Sequence, residues 1–209
     1  MFIQKSSGGT DYAPAPAGTH LGVCYRVLDL GTQRIEYMGE VKKQRKLLIA
    51  WELPEEPMED GKPFSISKKY TLSFHEKSAL RADLESWRGQ PFTEKDFSGP
   101  PNGFDLAKLL GAPALINVIH KPSKEGTKVF ANIAAISRIK KGMDVPALVN
   151  EKLILDLNDQ ANPDHIIDRL GKRLHEDIKS SPEYQAIISG DVIPPAQSQD
   201  DFLNDDCPF

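Results

Sequence analysis

The chain has 209 residues, with 26 lysines and arginines against 30 aspartates and glutamates, and a formal net charge of −4. That length is typical of one ordinary domain with extensions or of two small domains. No run of about 18 apolar residues occurs, and the start lacks the basic-then-apolar pattern of a signal peptide. We therefore expect no membrane segment. Two cysteines, Cys24 and Cys207, predict neither a disulfide framework nor a zinc site, and a reducing cytoplasm is the simplest compartment.

The net charge hides an asymmetry along the chain. Residues 1–142 carry 21 basic and 16 acidic side chains, a net of +5, whereas residues 143–209 carry 5 and 14, a net of −9. A basic body with an acidic tail indicates a nucleic acid or membrane partner.

The first third of the chain predicts three strands. Residues 1–19 are rich in Gly, Ala, Pro and Ser and predict a flexible arm. Residues 20–30 alternate in the manner of a first strand. A basic stretch, residues 42–46, leads into a second strand over 47–53, and a third strand is predicted at about 64–72.

A helix and two more strands follow. The Ser73-x-x-Glu76 spacing is that of a capping box, and the helix it opens carries a stripe of Leu80, Leu84 and Trp87 before Gly89. A short second helix is predicted over 104–110. Further strands are predicted over 114–120 and 128–136, joined by a hairpin loop at 122–127.

The predicted order within residues 20–142 is three strands, helix, two strands. It predicts a mainly β fold with some helix, and it matches the OB-fold, a five-stranded Greek-key barrel. Other small β-barrels are compatible with the same order.

The last third of the chain has a different pattern. Residues 143–190 predict a helical extension that starts at Asn162-Pro163, with a stripe of Ile167, Leu170, Leu174 and Ile178. One stripe cannot build a core, so the helix must pack on the barrel, pair with another copy in a homo-oligomer, or stay partly disordered. Residues 191–209 contain five aspartates, three prolines and no basic residue, and predict a disordered acidic tail.

The tail ends in Asp205-Asp206-Cys207-Pro208-Phe209. An acidic tail is commonly only a solubilising segment, but an apolar aromatic beside a free carboxylate is typical of a docking peptide. The sequence resembles the acidic tip of bacterial-type single-stranded DNA-binding proteins, with Cys207 where Ile is common and with fewer consecutive aspartates. The resemblance implies that Asp205, Asp206, Pro208 and Phe209 bind replication and recombination enzymes.

The body is similar to the OB-fold single-stranded DNA-binding proteins of tailed phages and prophages. The similarity spans residues 12–142 and lies in Gly31-Thr32-Gln33, Trp51-Glu52-Leu53-Pro54, residues 67–73 and residues 84–89. It implies a role in protecting single-stranded DNA during phage replication or recombination, in the cytoplasm of a bacterial host.

Single-strand binding requires cations for phosphates and aromatic faces for bases. OB-folds supply them on strands two and three and the flanking loops. The residues that this predicts for DNA contact are Arg26, Tyr37, Lys42, Lys43, Arg45, Lys46, Lys68 and Lys69. Trp51 and Tyr70 share their strand faces with aliphatic residues and are predicted in the core, whereas Phe74 suits either role. A basic run can also be only a solvated face.

Signals for an enzyme are weak. The five histidines have no ligand spacing, and neither a P-loop nor a nucleophile elbow occurs. A two-metal nuclease needs clustered acids, but Asp29 and Glu52 are isolated. We expect a non-enzymatic protein without a cofactor or metal. The alternatives are an OB-fold adaptor that binds protein and, less favoured, a nuclease.

Overall fold

The computed structural model describes residues 13–37, 39–98, 103–123, 125–158 and 163–192, and the Tyr37 side chain is outside this description. The chain is mainly β, with one open sheet. Its antiparallel strands lie in the order β3-β2-β1-β4-β5, and a short β6 pairs parallel to β1. The strands are β1 (Gly18–Tyr37), β2 (Glu40–Pro57), β3 (Pro63–Thr71), β4 (Pro113–Pro122), β5 (Val129–Ser137) and β6 (Leu153–Leu155). Within these ranges, no helix is long and apolar enough to cross a membrane.

β1 and β2 are much longer than predicted and form a projecting hairpin. Their pairing continues from Gly31↔Lys46 to Tyr37↔Glu40, so the basic stretch lies within β2 rather than before it. We call residues 32–37 and 40–45 the hairpin arm. Because most of its side chains are polar, it has no apolar alternation by which a sequence pattern could reveal a strand.

The helix α1 (Ala79–Arg88) lies between β3 and β4, and its predicted stripe of Leu80, Leu84 and Trp87 is buried. The predicted start at Ser73 is wrong, because the N-cap is Ser78, whose hydroxyl accepts from the Arg81 N–H. Ser73 instead accepts from the His75 N–H at 3.2 Å and shapes the preceding turn. The predicted second helix is a single 3-10 turn, Leu106–Leu109.

The inner core lies between the sheet and α1. Trp51 is fully buried there, 5.4 Å from the Trp87 ring, and Tyr70 is 3% exposed, so both core predictions are confirmed. Phe74 packs against three other phenylalanine rings. The flexible-arm prediction is wrong for residues 13–19: Ala15 is buried, and its carbonyl accepts from His120 Nε2 at 2.8 Å. Residues 1–12 lie outside the described ranges.

A second core lies on the outer face of β1 and β2. It is closed by β6, α2 (Asp164–Ile167), α3 (Lys172–Lys179) and α4 (Pro182–Ser189). We call residues 145–158 and 163–189 the C-terminal cover. The prediction of one helix is wrong, because Gly171 interrupts it and Ser181 caps a further helix. The predicted apolar stripe does pack on the sheet, against Leu28 and Leu48 among others.

Three buried carboxylates bind backbone N–H groups between the cover and the sheet. Glu52 accepts from the N–H groups of Val149 and Asn150, each at 2.8 Å. Glu183 accepts from the Thr32 N–H at 2.8 Å, and Asp29 accepts from the Leu157 N–H at 3.4 Å. Since buried N–H groups need partners, these contacts fix the cover in one position.

Candidate nucleic-acid interface

The β2–β3 face that the sequence predicts for DNA is largely covered. On this outer face Leu48, Ala50 and Glu52 of β2 are buried beneath the cover. Only the β3 side remains exposed, and there Lys69 Nζ donates to Asp177 of α3 at 2.7 Å. The predicted face is therefore not available as one continuous DNA-binding surface.

Lys68 and Lys46 already have partners within the protein. Lys68 lies on the opposite face of β3 from Lys69, because it pairs with Ile49 and Lys69 pairs with Leu48. Its ammonium donates to Asp83 at 2.6 Å and lies 5.3 Å from the centre of the Tyr70 ring. Lys46 donates to the side-chain oxygens of Gln44 at 2.6 Å and Thr71 at 2.8 Å.

Asp83 also contributes to keeping the Tyr70 hydroxyl protonated. The Tyr70 hydroxyl donates to the Asp83 carboxylate at 2.9 Å. Burial, reinforced by the negative charge of Asp83, raises the pKa of Tyr70 well above its usual value. Tyr70 therefore remains a neutral hydrogen-bond donor inside the core.

The prediction that Arg45 contacts DNA does not agree with its position. The side chain is 5% exposed, and its guanidinium donates to Asp29 through Nε at 3.1 Å and to Asn158 through Nη1 at 3.0 Å. Burial lowers the pKa of Arg45, but the hydrogen bond to Asp29 and the negative charges of Asp29, Glu183 and Asp156 together outweigh this and hold the pKa above its ordinary value. Arg45 is thus a permanent cation that neutralises a buried carboxylate.

Arg26 lies on the outer face of β1, where it pairs with Ala50. It is half-buried, and its guanidinium lies 4.9 Å from the centre of the Tyr25 ring. Its Nε is buried and makes no hydrogen bond within the described ranges. The C-terminal cover packs on the same strand face, so Arg26 is separated from the other predicted cations.

Towards its tip, the hairpin arm carries cations that are exposed. Arg34 on β1 pairs directly with Lys43 on β2, and both side chains are exposed. Neither has an acidic partner among the described residues, and Lys42 reaches only Glu40, at 4.0 Å. Like charges directly opposite each other destabilise an antiparallel pair. This arrangement therefore suits the binding of an anion.

Two predicted elements of the site lie outside the described residues. Tyr37 ends β1 opposite Glu40, which puts its backbone at the tip of the arm, but its side chain is among those not described. Asp205, Asp206, Pro208 and Phe209 also lie outside the described ranges, and the docking role of the tip stays a prediction.

Sequence reasoning missed Arg34, because the first strand was expected to end at Gly31. A signal was available: Gly39 stands between two polar, cation-bearing runs, and a glycine there is typical of a hairpin turn. Gly39 has a φ of 82°, in the left-handed region that favours glycine.

A cleft of about 880 Å³ opens beside the Asp29–Arg45 pair, but its charge does not suit a polyanion. Lys95 and Lys108 are the cations of its lining, and four carboxylates stand beside them, those of Asp29, Asp96, Asp105 and Asp156. Because the acids outnumber the lysines, the hairpin arm is the better candidate for phosphate contact.

No family model matches the sequence.

Proposed function

We propose that the protein is a non-enzymatic, largely sequence-independent single-stranded DNA-binding protein that protects DNA in phage replication or recombination. The observation that carries the proposal is the exposed Arg34–Lys43 pair on the hairpin arm. These two cations face each other without an acidic partner in the described residues, so their repulsion destabilises the strand pairing of the arm when no ligand is bound. The pair therefore favours binding of a phosphate backbone, because neutralising the phosphates releases the counterions condensed on them.

We further propose that the sheet is an OB-type barrel. The support is the strand order β3-β2-β1-β4-β5, the position of α1 between β3 and β4, and contact between β3 and β5. In OB-folds the β1–β2 and β4–β5 connections flank the nucleic-acid surface. The hairpin arm ends in the first of these connections, so its exposed cations, Arg34 and Lys43, lie beside a surface that this fold would use.

Removing the paired cations is expected to weaken DNA binding and its salt dependence together. For Arg34→Ala/Lys43→Ala, the slope of log affinity against log salt should fall by about 1.4, at about 0.7 per single-strand phosphate contact. Anisotropy of labelled oligo-dT over a series of salt concentrations measures this slope. The matched control is Lys172→Ala/Arg173→Ala, which removes the same charge from exposed positions on α3.

Equal slopes for the two double variants would show that the arm is not the phosphate site. If the wild-type protein binds no oligo-dT even at low salt, the DNA-binding proposal is wrong and the protein-binding adaptor takes its place. Metal-dependent degradation of the oligonucleotide would instead favour a nuclease.

We also propose that the acidic tip recruits replication and recombination enzymes. Deleting residues 200–209 removes four aspartates and Phe209. DNA affinity should then stay unchanged or rise, because negative charge that competes with DNA is lost, while binding of tip-recognising enzymes should disappear. Oligo-dT titration and pull-down with purified host replication proteins measure the two effects, and a loss of DNA affinity would contradict this division of roles.

A further inference from the structure

The C-terminal cover packs on the outer face of β1 and β2. On the same face of the sheet, β4 and β5 have exposed side chains and are not covered by the described residues. On this face Lys121 pairs with Phe130 and Ile119 pairs with Asn132. Lys121 and Phe130 are exposed, and the other two side chains are half-buried. Directly paired residues have neighbouring side chains on one side of the sheet, so an aromatic ring and a cation lie next to each other here.

Phe130 is unusual among the aromatic residues that the structure describes. It is 54% exposed, whereas Trp51, Tyr70 and Trp87 are each at most 6% exposed. Its neighbour Val129 is 49% exposed, but successive strand residues point to opposite faces, and Val129 belongs to the side that carries Ala131. The exposure of Phe130 therefore leaves a ring free at the start of β5.

The surroundings of Phe130 favour a phosphate-bearing ligand. Lys121 has no acidic partner within the described residues, and its ammonium is free to neutralise a charge. Asn132 donates through Nδ2 to the Phe130 carbonyl at 3.2 Å, which leaves its amide oxygen available as an acceptor. A ring, a cation and an amide on one open face match the base and phosphate of a nucleotide.

We propose that Phe130 and Lys121 form a stacking site for one nucleotide of a single-stranded nucleic acid. Phe130 stacks on a base and Lys121 contacts the adjoining phosphate. This inference rests on the proposed function and assigns a second contact, separate from the hairpin arm. Because every base has a π-face, stacking tolerates any sequence, as a protein that coats single strands requires.

The test uses three variants of the full chain and fluorescence anisotropy with labelled oligo-dT. Phe130→Ala should weaken binding by about 5- to 150-fold, the range for losing one aromatic–base stack, and Phe130→Trp should retain or strengthen it. Val129→Ala is the matched control, with a neighbouring side chain of similar exposure on the other face, and should bind as the wild type does. Thermal unfolding should be unchanged for Phe130→Ala, since the ring is exposed.

The outcomes separate this inference from the proposed function. If Phe130→Ala binds like the wild type while Arg34→Ala/Lys43→Ala is weakened, the stacking site is wrong and DNA binding by the arm stands. If the wild type itself binds no oligo-dT, both are wrong. If Phe130→Ala keeps DNA affinity but loses binding of the host enzymes in the pull-down, the face binds protein and the nucleotide assignment is overturned.

Discussion

Replacing Ile178 by alanine is expected to lower the free energy of unfolding by about 2–5 kcal/mol, the usual cost of truncating a buried isoleucine. Ile178 lies on α3 and is fully buried, with Leu28 and Leu48, in the second core on the outer face of β1 and β2. The lower stability should shift the unfolding transition reported by the fluorescence of Trp51 and Trp87, although both indoles lie in the inner core. The reason is that β1 and β2 contribute side chains to both cores, so the two should unfold together.

Urea denaturation followed by tryptophan fluorescence measures this coupling. The matched control is Ile188→Ala on α4, where the side chain is 56% exposed, and its effect should stay within about 0.5 kcal/mol. A tryptophan transition that does not move in Ile178→Ala would show that the cover unfolds independently of the sheet. Circular dichroism should then report a separate helical transition.

The physical signals in the sequence were strong for the inner core and weak for the cover. Leu80, Leu84 and Trp87 repeat at helical spacing, and the strands around them alternate, so local pattern was enough to place them. In the cover, Gly171 divides the apolar stripe between two short helices, and Ser181-Pro182 begins a third helix beyond the stripe. Such helices are stabilised by packing on the sheet rather than by propensity, and a sequence pattern does not report that packing.

The site was predictable in its chemistry but not in its placement. Lys42 and Lys43 were identified from the basic run, and the structure leaves Lys43 exposed. Lys68, Lys69 and Arg45 carry the same charge but have acidic partners on other elements, which lie 15, 108 and 16 residues away in the sequence. Composition cannot distinguish a cation that awaits a ligand from one that already has a partner, because the difference lies in long-range contacts.

Arg45 and Lys43 stand two residues apart on β2 and should respond to mutation in opposite ways. Arg45→Met leaves the Asp29 carboxylate buried without its cation, which typically costs about 3–5 kcal/mol of folding free energy. Lys43→Met removes an exposed side chain and should change stability by less than about 0.5 kcal/mol. DNA affinity should follow the reverse order, because only Lys43 is exposed to a ligand.

A double-mutant cycle separates the buried ion pair from a DNA contact. Asp29→Asn keeps an amide oxygen that can accept from the Gly31 N–H, as Asp29 Oδ1 does at 2.9 Å, but it removes the charge. The double variant Arg45→Met/Asp29→Asn should therefore be destabilised by less than the sum of the two single variants, and the difference, about 0.5–3 kcal/mol, is the coupling energy of the pair. Urea titration gives the stabilities, and oligo-dT binding is measured well below the unfolding transition. If Arg45→Met is as stable as the wild type but loses DNA affinity, then Arg45 contacts DNA. In that case Asp29 is not its stabilising buried partner.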